Sequence, residues 1–223
     1  MDTSGIGRST RDLPALTPEM IADPESCWID VREWFEHSDR PLEIEIGSGK
    51  GTFLAQQAGL QTHTNFLGIE YAGEFYRYAA DRIRRSSLSN VRMLYGDAVD
   101  FLAVRCPSGL AEVVHLYFSD PWPKSRHHKR RVVQDSFLAT VYRILKPGGE
   151  LRIVTDHLGY WSWMEEHFDR WCAADHEPRF ARCEFVTPQS AGDGEVVGTN
   201  FERKYREEGR VFNAATLVKA GTD

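Results

Sequence analysis

Short apolar runs alternate with amphipathic segments along most of this chain. Five runs rich in β-branched and aromatic residues predict buried strands: Leu42–Ile46, Phe66–Glu70, Val91–Tyr95, Val113–Phe118 and Leu151–Val154. Helical spacing of apolar residues predicts helices that begin at Thr52 or span Phe75–Arg85, Val133–Ile144 and Tyr160–Trp171. Glu184–Val186 and Arg210–Val218 can supply a closing antiparallel pair. The alternation predicts an α/β fold with a single doubly wound, mostly parallel seven-stranded sheet that ends in an antiparallel C-terminal strand.

The first forty residues lack this alternation. Residues 1–24 are polar and contain several prolines, which predicts a loose arm and no signal peptide. Glu25–Phe35 carries enough apolar residues to predict a short amphipathic helix packed on the domain. We therefore expect an N-terminal arm and short helix in residues 1–40, and one domain in residues 41–223.

The chain is acidic overall but contains one strongly basic segment. Its 223 residues include 27 Lys and Arg against 33 Asp and Glu, which argues against a general nucleic-acid binder. A local basic cluster at Lys124–Arg131 instead suggests a positioned contact. The four cysteines are widely spaced, and no apolar run reaches membrane-spanning length. We expect reduced thiols, no metal, no membrane contact and a cytoplasmic location.

A glycine turn joins the first predicted strand to the first predicted helix. Gly47-Ser48-Gly49-Lys50-Gly51 follows Leu42–Ile46 directly, and glycines let a ligand approach the backbone closely. The next strand ends in Glu70, nineteen residues after Gly51. This spacing matches the carboxylate that accepts hydrogen bonds from ribose hydroxyls in nucleoside-binding folds.

Acidic residues follow the same edge of the predicted sheet. Five of them lie at or near strand ends: Glu45, Glu70, Asp97, Asp120 and Asp156. Each alone can be a helix cap or a turn former. Together they would repel a pyrophosphate, which disfavours a nicotinamide dehydrogenase. A ligand with adenosine, ribose and a positive centre fits better, and S-adenosylmethionine has all three.

The segment after Val113–Phe118 combines acid, indole and cations. Two prolines predict that Asp120 and Lys124 lie on a rigid loop, where Trp122 either braces the loop or stacks on a base. The cations of the basic cluster precede a predicted helix, where they oppose its dipole. Because this interaction is unfavourable, their presence there favours a role in binding phosphate. His127 and His128 have no partners at metal-ligand spacing, so phosphate or solvent contacts are the better prediction.

These motifs together resemble a known family. The glycine turn, Glu70, Gly96-Asp97-Ala98 and Leu145–Gly149 are similar to the motifs of class I, Rossmann-like methyltransferases. Ser119-Asp120-Pro121-Trp122-Pro123-Lys124 and the basic cluster resemble the tRNA (guanine-N7)-methyltransferase family, and Thr155-Asp156 and Thr199–Glu202 follow in the family's order. The resemblance runs from about Glu43 to the C-terminus. Ser48 and Lys50 are less typical of the family.

The resemblance implies a role for each motif. It implies that S-adenosyl-L-methionine is bound by Glu45, Gly47, Gly49, Glu70, Asp97, Ala98 and Asp120. It implies that the target nucleotide is held by Lys124, Asp156, Thr199, Asn200, Phe201 and Glu202. It implies that tRNA is contacted by Arg126, His127, His128, Lys129, Arg130 and Arg131. The implied substrate is a guanosine at variable-loop position 46 of tRNA.

Chemistry adds a catalytic hypothesis for Asp120. Guanine N7 carries a free lone pair, so methylation needs positioning and electrostatics rather than a base. The product is cationic, and Asp120 would stabilise it, with Glu202 helping from the other side. The sequence is also compatible with other functions. The chain could be a class I methyltransferase that acts on another RNA, a protein or a small molecule, or a non-catalytic RNA-binding relative. The sequence also leaves open a monomer or homodimer, and the need for an accessory protein subunit.

Overall fold

The computed structural model describes residues 2–173 and 179–221. Within these residues the chain forms one eight-stranded sheet in the order β1-β4-β3-β2-β5-β6-β8-β7. The strands are β1 Gly7–Ser9, β2 Leu42–Ile46, β3 Asn65–Glu70, β4 Val91–Tyr95, β5 Ala111–Tyr117, β6 Leu145–Thr155, β7 Phe180–Cys183 and β8 Asn213–Lys219. The helices are α1 Pro18–Ala22, α2 Thr52–Leu60, α3 Gly73–Arg85, α4 Ala98–Arg105, α5 Asp135–Ile144, α6 Leu158–Cys172 and α7 Asn200–Glu207.

The strand order places a crevice between β2 and β5. From β2 the chain moves outwards through β3 and β4, and it then returns to lay β5 on the other side of β2. All pairs from β1 to β6 are parallel, whereas β8 and β7 are antiparallel. The reversal at β2 and β5 is a topological switch point, where open α/β sheets bind ligands at the carboxyl ends of their strands.

Helices cover both faces of the central strands. On one face α4, α5 and α6 bury Phe101, Phe137 and Phe168 in the largest apolar cluster. On the other face α2 and α3 bury Leu54 and Ile83. Because both faces are covered, every residue of β2 and β3 is buried, including the charged residues Glu43 and Glu45 of β2. The predicted doubly wound, mostly parallel sheet is confirmed.

The expectation of a loose N-terminal arm is wrong for the segment around Gly7. Gly7–Ser9 pairs with β4 as an eighth strand, so the sheet has one strand more than predicted. Arg8 lies over the Trp34 ring and Arg11 over the Tyr95 ring, at 5.0 and 5.1 Å from the ring centres. Backbone pairing and cation–π contacts hold this strand, and neither leaves an apolar periodicity in the sequence.

The helix predicted at Glu25–Phe35 is replaced by two short 3-10 turns. These span Pro24–Cys27 and Val31–Trp34. Asp30 starts the second turn, because its side chain accepts a hydrogen bond from the Arg32 N–H and pairs with the Arg32 guanidinium at 2.6 Å. The capping carboxylate therefore breaks the segment that apolar spacing alone would continue.

The last antiparallel strands are shifted from their predicted bounds. β7 spans Phe180–Cys183 rather than Glu184–Val186, because the Phe180 ring is buried against Tyr142 and Trp171. Val186 is 67% exposed. None of the helices in residues 2–173 and 179–221 has the length and apolar composition needed to cross a membrane.

Candidate functional site

Two adjoining cavities open at the carboxyl edge of the sheet. The larger, here called the main cleft, has a volume of about 580 Å³ and is lined by residues that follow β2, β3, β4 and β5. The smaller, here called the second cavity, has about 230 Å³ and lies against the start of α2 and the start of α7. Gly47, Gly49, Phe75 and Phe201 line both cavities, so the two spaces share a wall.

The glycine turn and Glu70 form one hydrogen-bonded unit beside the main cleft. Gly47 and Gly49 have φ of 72° and 53°, the left-handed region that favours glycine. Glu70 Oε2 accepts from the Gly49 N–H and Glu70 Oε1 from the Ala72 N–H, both at 2.7 Å. A carboxylate offers about four lone-pair sites, so Glu70 retains capacity for a ligand's hydroxyl groups.

Asp97 and Ala98 line the main cleft at the start of α4. Asp97 Oδ1 caps this helix by accepting from the N–H groups of Val99 at 2.9 Å and Asp100 at 3.2 Å. Both hydrogen bonds go to Oδ1, which leaves Oδ2 available to a ligand. A helix cap and a binding role are therefore compatible in this residue.

Glu45 is buried in the second cavity. It is 4% exposed, and its Oε2 atom has no hydrogen-bond partner. Burial, with the nearby negative charge of Glu70, raises the pKa of Glu45 well above its usual range. A cationic ligand group at Glu45 would relieve both effects.

Asp120 lies on a strained loop at the end of β5 and lines the main cleft. Phe118 and Trp122, two residues on either side of it, have φ of 54° and 42°. Positive φ in a bulky residue costs about 1–3 kcal/mol and is concentrated at functional sites. Phe118 is held by edge contacts with Tyr205 and Phe212, at ring-centre distances of 5.9 and 5.5 Å.

The basic cluster forms a 3-10 turn rather than the start of a helix. Ser125–Arg130 is this turn, and Lys124 precedes it at an exposed position. Arg126, Lys129 and Arg130 are also exposed.

Trp122 lies between two members of the basic cluster. The Arg130 guanidinium is 4.9 Å from the centre of its ring, and His127 makes an edge contact at 5.7 Å. His128 makes a similar contact with Trp163. These contacts fix Trp122 within the loop, and the residue also lines the main cleft.

Arg131 does not belong to the exposed basic surface. It is 4% exposed, and its Nε–H donates to the Pro121 carbonyl at 2.9 Å. Its guanidinium lies 5.2 Å from the ring centres of both Tyr160 and Trp163. Burial lowers the pKa of Arg131. The structure thus places Arg131 as a buried brace of the Asp120 loop that also lines the main cleft, where the sequence predicted an RNA contact.

Glu202 also points into the protein. It is 0% exposed, and its carboxylate accepts from the backbone N–H groups of Val196, Val197 and Gly198. Thr199 Oγ1 in turn accepts from the Glu202 N–H at 3.0 Å, a reciprocal arrangement related to the capping box. The structure therefore does not bring the Glu202 carboxylate to the cavities, and the Thr-x-x-Glu spacing was the sequence signal for this role.

The other residues of the Thr199–Glu202 motif face the second cavity. Thr199, Asn200 and Phe201 all line it. Phe201 is 42% exposed and also lines the main cleft, which places an aromatic face between the two spaces. α7 thus presents its first residues to the cavities while Glu202 anchors the preceding loop.

Asp156 is paired with a residue that the sequence did not single out. Arg210 bonds to its carboxylate and lies 4.1 Å from the centre of the Tyr205 ring. Burial, together with the charges of Asp156 and Asp120, raises the pKa of Tyr205. Tyr205 therefore packs against the cation that pairs with Asp156. Its position four residues after Phe201 on a helix was the only local signal, and Arg210 had none.

The strand order, the switch-point cleft and its acidic edge define a class I methyltransferase fold. The crystal structure of the aminoglycoside resistance methyltransferase NpmB1 superposes with a TM-score of 0.56 at 19% identity, over 93% of this chain and 95% of that one. Within residues 2–173 and 179–221, no group of three or more His, Cys, Asp or Glu side chains is arranged to hold a metal ion.

Sequence comparison gives the family. Residues 39–213 match the family described as "Putative methyltransferase". The tRNA (guanine-N(7)-)-methyltransferase of Corynebacterium diphtheriae is 41% identical over 66% of this chain, a match that spans 56% of that relative's length. The one from Rhodopirellula baltica is 36% identical over 94% of this chain and 82% of its own length. The chain belongs to the tRNA (guanine-N(7)-)-methyltransferase family.

Proposed function

We propose that this protein transfers a methyl group from S-adenosylmethionine to N7 of a guanosine in tRNA, at the variable loop. The observation that carries the proposal is the position of Asp120. Its carboxylate lines the main cleft on a strained loop, and the exposed cations of the basic cluster follow it directly. Family membership supports the same reaction.

The residues around the two cavities fit S-adenosylmethionine. Glu70 and Asp97 retain lone pairs towards the main cleft, which suits ribose hydroxyls and adenine amino groups. The buried, unpartnered Glu45 oxygen suits an ammonium group. When bound, S-adenosylmethionine supplies an electrophilic methyl group on a sulfonium. Glu70 and Asp97 would hold the adenosine end, which would leave Asp120 for the guanine side of the main cleft.

Asp120 would act on charge rather than on a proton. Guanine N7 becomes cationic as the new bond forms, and a fixed carboxylate stabilises that charge without reorganisation. The contacts of Phe118 with Tyr205 and Phe212 hold the strained Asp120 loop in place before substrate arrives. Asp156 and Lys124 would contact the target nucleotide, with Asp156 oriented by Arg210.

The exposed cations would contact tRNA phosphates. Arg126, Lys129 and Arg130 lie on one short turn, and Lys129 and Arg130 also line the main cleft. Three phosphate contacts predict that log K falls with log salt concentration at a slope of about −2 to −3. Arg131 is left out of this contact because it is buried.

The test is methyl transfer from labelled S-adenosylmethionine to unmodified tRNA, with the label mapped by cleavage at N7-methylguanine. We expect label at one variable-loop guanine. Asp120→Asn keeps the shape and removes the charge, and should lower turnover by about 10²–10³-fold. Asp169→Asn, an exposed acid on α6, is the matched control. Unchanged turnover in Asp120→Asn would refute the electrostatic role, and an unlabelled tRNA would refute the reaction by this chain alone.

A further inference from the structure

Two buried polar atoms in the second cavity have no partner. Glu45 Oε2 and Ser48 Oγ belong to residues that are 4% and 6% exposed, and both residues line this cavity. Buried polar atoms in native proteins are almost always hydrogen-bonded to protein, water or ligand. The second cavity is therefore built to receive a polar group.

Opposite charges line the same cavity. Glu45 is the acid, and Lys50 and Lys204 are the cations. The Lys50 ammonium lies 5.5 Å from the centre of the Tyr78 ring and 6.0 Å from that of Phe75, which keeps it near the cavity rim. α2 begins at Thr52, and its N-terminal end adds a partial positive charge. A cavity lined by one acid and two cations suits a zwitterion.

The second cavity is the continuation of the main cleft. Gly47, Gly49, Phe75 and Phe201 line both spaces, so one ligand can occupy them together. With the adenosine end in the main cleft, the amino-acid end of S-adenosylmethionine would extend towards the second cavity. That end carries one ammonium and one α-carboxylate.

We propose that Lys50 and Lys204 bind the α-carboxylate of the cofactor, opposite Glu45 at its ammonium, and thereby select cofactors that carry an α-carboxylate. The inference rests on the proposed function, because it concerns the amino-acid end of S-adenosylmethionine. It assigns a role to Lys50, a residue less typical of the family, and to a lysine of α7 outside the Thr199–Glu202 motif.

The test is direct binding by calorimetry, with no RNA present. The probes are S-adenosylmethionine, decarboxylated S-adenosylmethionine and 5′-methylthioadenosine. Wild type should bind S-adenosylmethionine more tightly than the decarboxylated form. The double variant Lys50→Met, Lys204→Met should weaken S-adenosylmethionine by about tenfold or more, the worth of one hydrogen bond to a charged group. The same variant should bind the decarboxylated form at least as tightly as wild type does.

Two further variants keep the measurement specific. Lys146→Met removes a half-buried lysine that pairs with Glu112 at 2.6 Å near the opposite end of the sheet, and it should change neither affinity. Glu45→Gln should weaken both ligands that carry the ammonium and leave 5′-methylthioadenosine unchanged. Circular dichroism spectra and melting temperatures check that each variant is folded.

The outcomes separate this inference from the proposed function. Equal weakening of S-adenosylmethionine and its decarboxylated form in the double variant overturns the inference, and so does no weakening of either. Both results leave the proposed function intact when wild type binds S-adenosylmethionine. Wild type that binds none of the three probes overturns the proposed function itself.

Discussion

Replacing Glu202 by Gln tests whether this acid holds a loop or contacts substrate. Its buried carboxylate accepts from the N–H groups of Val197 and Gly198, both at 2.8 Å, and from that of Val196. Gln has the same size, but one oxygen becomes an amide nitrogen that donates. At least one of the three buried N–H groups then faces a donor and loses its acceptor.

The magnitude follows from these contacts. A hydrogen bond to a charged group contributes about 1.5–3 kcal/mol, and a buried N–H without a partner costs about 1–3 kcal/mol. Because the two terms overlap, we expect a loss of about 2–4 kcal/mol, concentrated in residues 196–199. Thr199 and Phe201 line the second cavity, so the affinity for S-adenosylmethionine should fall as well.

Hydrogen exchange measures this loss where it occurs. The amides of Val196, Val197 and Gly198 should exchange about 30-fold faster or more in Glu202→Gln, the factor that 2 kcal/mol produces. Glu207→Gln, an exposed acid on the same helix, should leave their exchange unchanged. If Glu202→Gln left these amides protected and still abolished methyl transfer, Glu202 would contact substrate and would not be the anchor of this loop.

Three further predictions concern charge. Burial lowers the pKa of His115, so its contribution to stability is present above pH ~6.5 and is lost as pH falls towards the folded pKa. His115→Gln should therefore flatten the acid side of the curve of melting temperature against pH, and equal slopes would contradict this. Arg131→Lys should lower the melting temperature because Lys cannot both stack on Tyr160 and Trp163 and donate to Pro121, while the salt slope of tRNA binding stays constant. Arg126→Gln should do the reverse, reducing the salt slope by about 1 with little change in melting temperature.

Most of the fold follows from local patterns. β2 and β3 are buried on both faces, so β-branched and other apolar residues such as Ile44, Leu67 and Ile69 mark them as strands in the sequence whatever their neighbours are. α3 and α5 each keep an apolar stripe because only one face packs on the sheet. β1 left no such signal, because it is an edge strand held by backbone pairing and by the cation–π contact of Arg8 with Trp34.

The site residues also fall into two groups: those that the sequence predicts, and those whose role only the structure reveals. The sequence by itself determined that Glu70, Asp97 and Asp120 come together, because the carboxyl ends of parallel strands meet at one edge. It also determined the family, since the Ser119–Arg131 segment is a continuous motif. Both results depend on residues that are close in the chain or ordered by a repeating topology.

Only the tertiary structure decided which charged side chains turn inward. Glu202 and Arg131 lie within motifs that suggest ligand contacts, yet the structure buries both against backbone groups. Asp156 meets Arg210 across 54 residues of sequence. Helical and strand periodicities record how one element packs, but they carry no information about which distant loop supplies a partner. That choice depends on the folded path of the chain, and here it separates the residues that hold the site from those that face its ligands.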